Sequence, residues 1–543
     1  MELKCLCLPT QRVPFGAYRL PTQRVPFGAY RFKMSTARKI LENTAVQFGG
    51  KIVTAILSIF VVKMISGYLG TAGYGDYTAA YNFLAFFGIA ADFGIYTITV
   101  KEMSKDQSKI PEILGNVLGL RTLLVILTMG LAAIAIFLVP EYQGTLVPMG
   151  VLIGTLATLF TLLNGTISTV LQVHLKMQYT TIGLVVGKMV SVGYIALVVY
   201  YLFVGDKVTG FEHLIWSGVL GNLVMFVMTF YYVSRYTKIR YRFDFKFWKE
   251  IFWTSLPYGV ALVLSGIYFR LDTILLYRIL PHTEILANKE VCLQALCSDT
   301  EAGLYGIGLR FLEMLVIIPI YFMNSVMPVM TRFLEEGKEK VRQVIQYAFD
   351  FLLAISMPIM VGGFILAVPI IQLISKDEFV SGNGFTHGAD VALQYLVFAM
   401  FFSFMNVIFA FTIVVLNKQK KLIYINAGCV ALNIVGNYLA IPHWGFRGAA
   451  FTTILCEIFI LILTSRIVKK DLGLHLSYKT GFKILLSSLL MGAVIWLGEH
   501  WMSNAWFVWK LGILIPLGAL IYGLMILSTK TITPEMKAAL RRK

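Results

Sequence analysis

Apolar residues occur in runs of about 20 along most of the 543-residue chain, and charged or turn-forming residues separate the runs. A run of that length crosses the hydrocarbon core of a bilayer as one helix. About 14 such runs can be read, the first two over 47–68 and 77–98. The pattern predicts an all-α, polytopic membrane protein with about 14 transmembrane helices.

Composition supports this reading, because 57% of the residues are hydrophobic and only 14% are charged, whereas a soluble domain carries about a quarter charged residues. The basic residues lie mainly in alternate loops such as "RYTKIRYRFDFKFWKE" and "LNKQKK", while the loops between them, such as "LGTAGYGD", are nearly uncharged. By the positive-inside rule, both termini are expected in the cytoplasm. The net charge of +18 then needs no nucleic-acid partner.

Short internal echoes predict two halves with the same membrane orientation. "AGYG" (Ala72–Gly75) is echoed by "AGLYG" (Ala302–Gly306), and "VGYIAL" (Val192–Leu197) by "VGNYLA" (Val435–Ala440). These offsets of roughly 230 to 245 residues correspond to six spans. Parallel repeats of this kind are a transporter architecture. We therefore expect two parallel-repeat six-helix lobes plus two C-terminal helices.

The predicted division of the chain follows from these repeats and from the basic loops. It comprises a leader (1–33), a first lobe (34–235), a cytoplasmic linker (236–250), a second lobe (251–467), and spans 13 and 14 with a basic cytoplasmic tail (468–543). The leader holds "LPTQRVPFGAYR" twice without change. It is expected to be a disordered tail, or repetitive sequence upstream of a true start at Met34.

Several ionisable residues interrupt the apolar runs, and cations outnumber anions among them. A charge at the bilayer centre costs roughly 3 kcal/mol or more, so such residues usually face a protein interior or a wet cavity. We predict a cationic cavity for an anionic group, formed by Arg121, Lys188, Arg270 and Arg310. The acidic residues, with roles in ion coupling or in structure, are Asp92, Asp272 and Glu313.

Spacing refines two of these assignments. Arg270 and Asp272 are two residues apart, so on a helix they point about 200° away from each other and need separate partners. Arg310 and Glu313 are spaced i, i+3, which allows either a local ion pair or a role in the cavity.

No Cys/His spacing typical of a metal site occurs in the chain, so neither a metal nor a cofactor is predicted. Cys292 and Cys297 share one loop and would be able to pair in an oxidising compartment.

Four segments carry a family resemblance: 69–95 ("LGTAGYGDYTAAYNFLAFFGIAADFGI"), 256–276 ("LPYGVALVLSGIYFRLDTILL"), 302–319 ("AGLYGIGLRFLEMLVIIP") and 433–455 ("NIVGNYLAIPHWGFRGAAFTTIL"). They resemble polysaccharide transporters, the Wzx-type oligosaccharide flippases. This family belongs to the superfamily that also holds lipid II flippases and multidrug and toxin extruders. The loop between spans 7 and 8 is longer than is usual in the family.

The resemblance implies a fold of two six-helix lobes around a central cavity, often with two further helices. It implies that the protein moves a polyprenyl-(pyro)phosphate-linked oligosaccharide across the cytoplasmic membrane of a prokaryote by alternating access. The implied partners are this lipid, membrane lipids, H⁺ or Na⁺, and polysaccharide assembly proteins. The resemblance also places the family's acidic positions of spans 2 and 7 on Asp92 and Asp272.

Two other functions compete with this reading. A cation-coupled multidrug exporter of the same superfamily would need an acidic cavity, and the predicted cavity is basic. A membrane-embedded polymerase would need a metal-binding acidic pair or a large catalytic loop, and the chain has no D-x-D motif. We therefore expect a transporter and not an enzyme.

Overall fold

The structure is a computed structural model that describes residues 27–174, 176–281, 296–382, 387–502 and 507–529. Most of the repeated leader (1–26), Cys292 and the basic tail (530–543) lie outside the described residues. The predictions for the leader and for the Cys292–Cys297 pair therefore stay predictions.

Helices make up nearly all of the described chain. In chain order they are α1 (Phe27–Asp92), α2 (Ile95–Lys105), α3 (Ile110–Leu138), α4 (Val147–Val173), α5 (Gln178–Leu197), α6 (Lys207–Ser234), α7 (Phe245–Ile279), α8 (Ser298–Glu336), α9 (Lys338–Ile365), α10 (Ala367–Ile374), α11 (Ala389–Val415), α12 (Lys420–Trp444), α13 (Phe446–Leu472), α14 (Lys479–Trp501) and α15 (Phe507–Ser528).

Within the described ranges, 12 helices are long and apolar enough to cross a membrane, and one of them covers Gly49–Asp92. This one holds two spans, because Gly70 interrupts α1 with φ 76° and ψ −174°, a conformation that glycine adopts at little cost. Helix α7 has 35 residues, which is about 50 Å at 1.5 Å per residue, and adds another span. The prediction of about 14 spans is confirmed.

The outer surface of the bundle is apolar, as a lipid-facing surface must be. Leu138, Ile134 and Leu520 expose 75%, 63% and 61% of their area. Such side chains along helices of this length are typical of contact with acyl chains rather than with water. The protein is a multi-pass membrane protein.

The helices form two bundles that face each other, α1–α6 and α7–α13, and α14 packs against α9 beside the second bundle. We call them the N-lobe and the C-lobe. The chain between them crosses on the basic face, the end of the molecule that carries the basic loops. There Arg242 N–H donates to the Gly115 carbonyl (3.1 Å) and Trp248 Nε1 donates to the Asn116 carbonyl (2.8 Å). The first turns of α7 are thus tied to α3 of the N-lobe.

At the opposite face the two lobes touch backbone to backbone. A Cβ atom at Gly75 would overlap the Asp299 carbonyl oxygen, and one at Gly303 would overlap the Thr71 carbonyl oxygen. Polar contacts between the lobes lie beside this contact: Tyr277 donates to Asp76 (2.5 Å), and Arg278 pairs with Glu141 (3.3 Å). The lobes are therefore closed against each other at this face.

Replacing Gly75 by Val is expected to separate the lobes there, because the new side chain has no space beside Asp299. Spin labels at Gln143 of the N-lobe and Asp377 of the C-lobe report the distance across this face by electron–electron double resonance. We expect the distribution to shift to longer distances in Gly75→Val. Gly193→Val is the matched control, since a Cβ at Gly193 has nothing within 4 Å. An unchanged distribution in Gly75→Val would contradict the closed contact.

Candidate functional site

A cavity of about 420 Å³ lies between the lobes. Its N-lobe wall comes from both spans of α1 and from α5 and α6, and its C-lobe wall comes from α8. The volume is within the range of small-ligand sites, roughly 300–1,000 Å³. A cavity shared by two lobes changes shape whenever the lobes move.

Among the described residues, three charged side chains line this cavity: Lys188 on the N-lobe wall, and Arg310 and Glu313 on the C-lobe wall. Arg310 donates to Glu313 at 2.9 Å, so the i, i+3 pair foreseen from the sequence is formed, and both of its members also face the cavity. Two cations against one carboxylate leave the lining with a net positive charge. Such a lining favours an anionic ligand.

Arg270 stands directly behind Glu313. Its guanidinium lies 3.8 Å from the Glu313 carboxylate and donates to the Asn82 side-chain oxygen at 2.7 Å. Asn82 in turn donates to Thr273 at 3.0 Å. Because Asn82 belongs to the N-lobe and Arg270 to the C-lobe, this small network joins the two lobes beside the cavity.

Three tyrosines form a ladder along one face of α1 in the cavity wall: Tyr74, Tyr77 and Tyr81. Their spacing of three and four residues places them on successive turns. The ring centroids lie 6.0 Å and 4.8 Å apart in sequence order. Tyr74 is 1% exposed, so Tyr77 and Tyr81 are the rings of this ladder that a ligand in the cavity can contact.

Asp272 forms a second polar site, buried inside the C-lobe with 1% of its area exposed. One carboxylate oxygen accepts from Asn433 (2.9 Å) and Asn437 (2.8 Å). The other accepts from Tyr305 (2.6 Å) and Thr453 (2.6 Å). Helices α7, α8, α12 and α13 therefore all converge on one carboxylate. Arg270 and Asp272 point to different partners, as their spacing predicts.

The Asp272 site also contains a side-chain oxygen that accepts no hydrogen bond from the described residues. The side-chain oxygen of Asn437 is buried and has no hydrogen-bond partner among the described residues. Carboxylate, amide and hydroxyl oxygens are ligands that suit hard cations of low charge, and a carboxylate also binds a proton. No group of three or more His, Cys, Asp or Glu side chains that suits a multivalent metal occurs in the ranges that the structure describes.

Arg121 is not one of the cavity residues. It is 1% exposed and donates to the carbonyls of Ala91 (3.1 Å) and Asp92 (2.8 Å), and it pairs with the Asp92 carboxylate. These groups lie at the C-terminal end of α1, where carbonyls lack helical partners. Arg121 and Asp92 therefore hold the end of α1 inside the N-lobe. The prediction that Arg121 lines the cavity is not supported, because its guanidinium is used locally.

The structure thus separates the seven predicted residues into three groups. Lys188, Arg310 and Glu313 meet in the cavity with Arg270 behind them, Asp272 forms the C-lobe site, and Arg121 pairs with Asp92. Sequence reasoning missed Asn82, Tyr305, Asn433, Asn437 and Thr453. The i, i+4 spacing of Asn433 and Asn437 in "NIVGN", a polar stripe on an apolar helix, is the sequence signal that could have identified these two.

Solved structures share this architecture. The lipid II flippase MurJ in an inward closed conformation aligns with TM-score 0.67 and 17% identity, over 91% of this chain and 100% of MurJ. An inward-facing multidrug resistance MATE transporter aligns with TM-score 0.60 and 11% identity, over 79% and 99%. A MOP superfamily transporter from Pyrococcus furiosus aligns with TM-score 0.56 and 12% identity, over 80% and 96%. At these identities the likeness shows the fold.

Family models match the sequence itself. Residues 291–439 match the MatE model, and none of the curated proteins matches the chain. Residues 40–334 match the model described as polysaccharide biosynthesis protein. Because this match covers more than half of the chain, the chain belongs to the polysaccharide biosynthesis protein family.

Proposed function

We propose that this protein is a flippase that moves a polyprenyl-(pyro)phosphate-linked oligosaccharide from the cytoplasmic leaflet to the opposite leaflet by alternating access. The observation that carries the proposal is the cavity between the lobes, with Lys188, Arg310 and a ladder of tyrosines in its walls. The cations suit the phosphate, and the tyrosine faces suit the sugars. The apolar tail needs no polar site, since it stays in the lipid while the headgroup crosses.

Two comparisons support this reading. The matching family is one of polysaccharide biosynthesis, and MurJ, which shares the fold, is a lipid II flippase. In the proposed cycle, the Arg310 guanidinium holds phosphate oxygens through paired hydrogen bonds. Headgroup binding then shifts the balance between two arrangements of the lobes, provided that it is tighter in one of them.

We further propose that Asp272 binds the coupling cation, either Na⁺ or H⁺. Asp272 lies on α7 and its four donors lie on α8, α12 and α13, so a bound cation that reorganises them changes how these helices pack. Asp92 is assigned a structural role, because its partner Arg121 neutralises it at the end of α1.

The proposal is tested by locating the lipid-linked oligosaccharide in cells that lack the protein, with a membrane-impermeant reagent that modifies sugars. We expect the lipid to accumulate on the cytoplasmic side and the wild-type protein to relieve the accumulation. Lys188→Gln should relieve it poorly, whereas Lys188→Arg, which keeps the charge, should retain most of the activity. Protein levels are compared by immunoblot.

Export of drug cations is the alternative, and the MatE match over 291–439 is the observation in its favour. The net positive cavity disfavours it, because a cationic drug would be repelled. If no lipid-linked oligosaccharide accumulates and cells lacking the protein become sensitive to cationic drugs, the flippase proposal is wrong and the exporter replaces it.

A further inference from the structure

Glu313 is an acidic residue in a site that the proposed function requires to bind an anion. It lines the same cavity as Lys188 and Arg310, and its two carboxylate oxygens are directed to two different arginines: Oε2 lies 2.9 Å from Arg310 and Oε1 lies 3.8 Å from Arg270. The side chains of Arg270, Glu313 and Arg310 are 24%, 34% and 30% exposed.

We infer that Glu313 is a built-in counter-anion, which takes the place of the cargo phosphate when the cavity is empty and is displaced when the phosphate binds. The inference rests on the proposed function and adds the residue that sets how tightly the anion is held. Guanidinium groups that pair with a carboxylate use the same N–H donors that would bind a phosphate. The Arg310 Nη1 donates to Glu313, so Glu313 and a phosphate compete for this donor.

A counter-anion matters most in the return step of the proposed cycle. Two arginines close together without a counter-charge in the membrane interior are strongly unfavourable, and a flippase has to return without cargo after each release. With Glu313 in place, the empty and the loaded cavity both contain arginines paired with an anion. The return step then avoids exposing unpaired charges between the lobes.

The contact between Arg310 and Glu313 also limits the affinity of the cavity for phosphate. A phosphate that binds through the Arg310 Nη1 has to displace Glu313 from it, so part of its binding energy is used in the exchange. Release is correspondingly easier, because Glu313 recombines with Arg310 as the phosphate leaves. A purely structural ion pair makes the opposite prediction, since its loss would disorder Arg310 and weaken binding.

The experiment is a titration of the purified full chain in nanodiscs with inorganic pyrophosphate, for wild type and Glu313→Gln. Glutamine keeps the size of the side chain and its acceptor oxygen but removes the charge. We expect the Kd of Glu313→Gln to be about tenfold lower than that of wild type, a difference of about 1.4 kcal/mol. In the leaflet assay the same variant should relieve the accumulation more slowly, because the tighter complex and the unpaired arginines impede release and return.

The control is Asp350→Asn, a buried carboxylate in α9 that accepts from Gln346 (3.1 Å) and is not a lining residue of the cavity; its Kd should equal that of wild type. An unchanged or higher Kd in Glu313→Gln overturns the counter-anion role. If wild type binds no pyrophosphate, the proposed anion site itself fails.

A second measurement covers the case in which Glu313→Gln does not fold. Infrared difference spectra of the wild type, with and without pyrophosphate, should show a carboxylate band that moves from an arginine-paired to an unpaired frequency. Glu313→Asp, which keeps the charge, is used to assign the band. A spectrum without a change in the carboxylate region would overturn the inference.

Discussion

Asp272→Asn is expected to abolish transport and to remove the response of the protein to the coupling cation. Four donors converge on the Asp272 carboxylate, from Tyr305, Asn433, Asn437 and Thr453. An asparagine offers one acceptor oxygen, and its NH₂ group would face two of these donors. Each buried donor left without an acceptor costs about 1–3 kcal/mol. The variant also removes the formal negative charge that a cation needs.

The measurement is the melting temperature of the purified protein as a function of Na⁺ concentration and of pH, since a ligand that binds the folded state stabilises it. We expect the wild type to be stabilised by one of these cations and Asp272→Asn by neither. Asp390→Asn is the matched control: Asp390 is also buried and accepts two hydrogen bonds from Ser381 (both 2.9 Å), but it lies on α11 outside the site. Cation-dependent stabilisation that persists in Asp272→Asn would refute the assignment.

Arg310→Gln is expected to weaken binding of the anionic headgroup by at least about tenfold. Charge-assisted hydrogen bonds from a guanidinium contribute roughly 1.5–3 kcal/mol each, and a neutral amide replaces them poorly. Arg121→Gln should leave the affinity unchanged, because its guanidinium holds the C-terminal end of α1 and does not line the cavity. It should lower the melting temperature instead, since the carbonyls of Ala91 and Asp92 lose their donor.

Comparing Arg310→Gln with Arg121→Gln distinguishes a loss of anion affinity from a loss of stability. The Kd for inorganic pyrophosphate and the melting temperature are measured for both variants in nanodiscs. If Arg121→Gln weakens binding as strongly as Arg310→Gln, then the cavity is not the anion site, or the end of α1 controls it from a distance.

The fold was largely predictable because a bilayer imposes a simple pattern. Runs of about 20 apolar residues, alternating basic loops and the echoes "AGYG" and "AGLYG" predict spans, orientation and lobes. The fold that these predict is confirmed by the helices and by the structures that share the architecture. The assignment to Wzx-type flippases and the lobe boundaries stay predictions.

The site was predictable only in part, because burial and helix periodicity do not say which neighbour a charge will meet. The opposite directions of Arg270 and Asp272 follow from helix geometry alone. The pairing of Arg121 with the end of α1 does not, since it depends on how α3 packs beside a helix 30 residues earlier in sequence. Asn82 carries no charge and lies among apolar residues in the sequence. Its contact with Arg270, 188 residues away, could therefore not be predicted from the hydrophobic pattern.

The contact between Gly75 and Gly303 bears on how easily the protein changes shape. Main chain meets main chain there, so parting the lobes releases few side chains and closing them immobilises few. Ordering a long side chain costs up to about 2 kcal/mol of conformational entropy. If long side chains filled this contact, closing the lobes would cost correspondingly more free energy. Beside this backbone contact, the described side-chain contacts that change when the lobes part are those of Tyr277 with Asp76 and of Arg278 with Glu141. In the proposed cycle, the preferences of the headgroup and of the cation for one arrangement decide which side of the membrane the cavity faces.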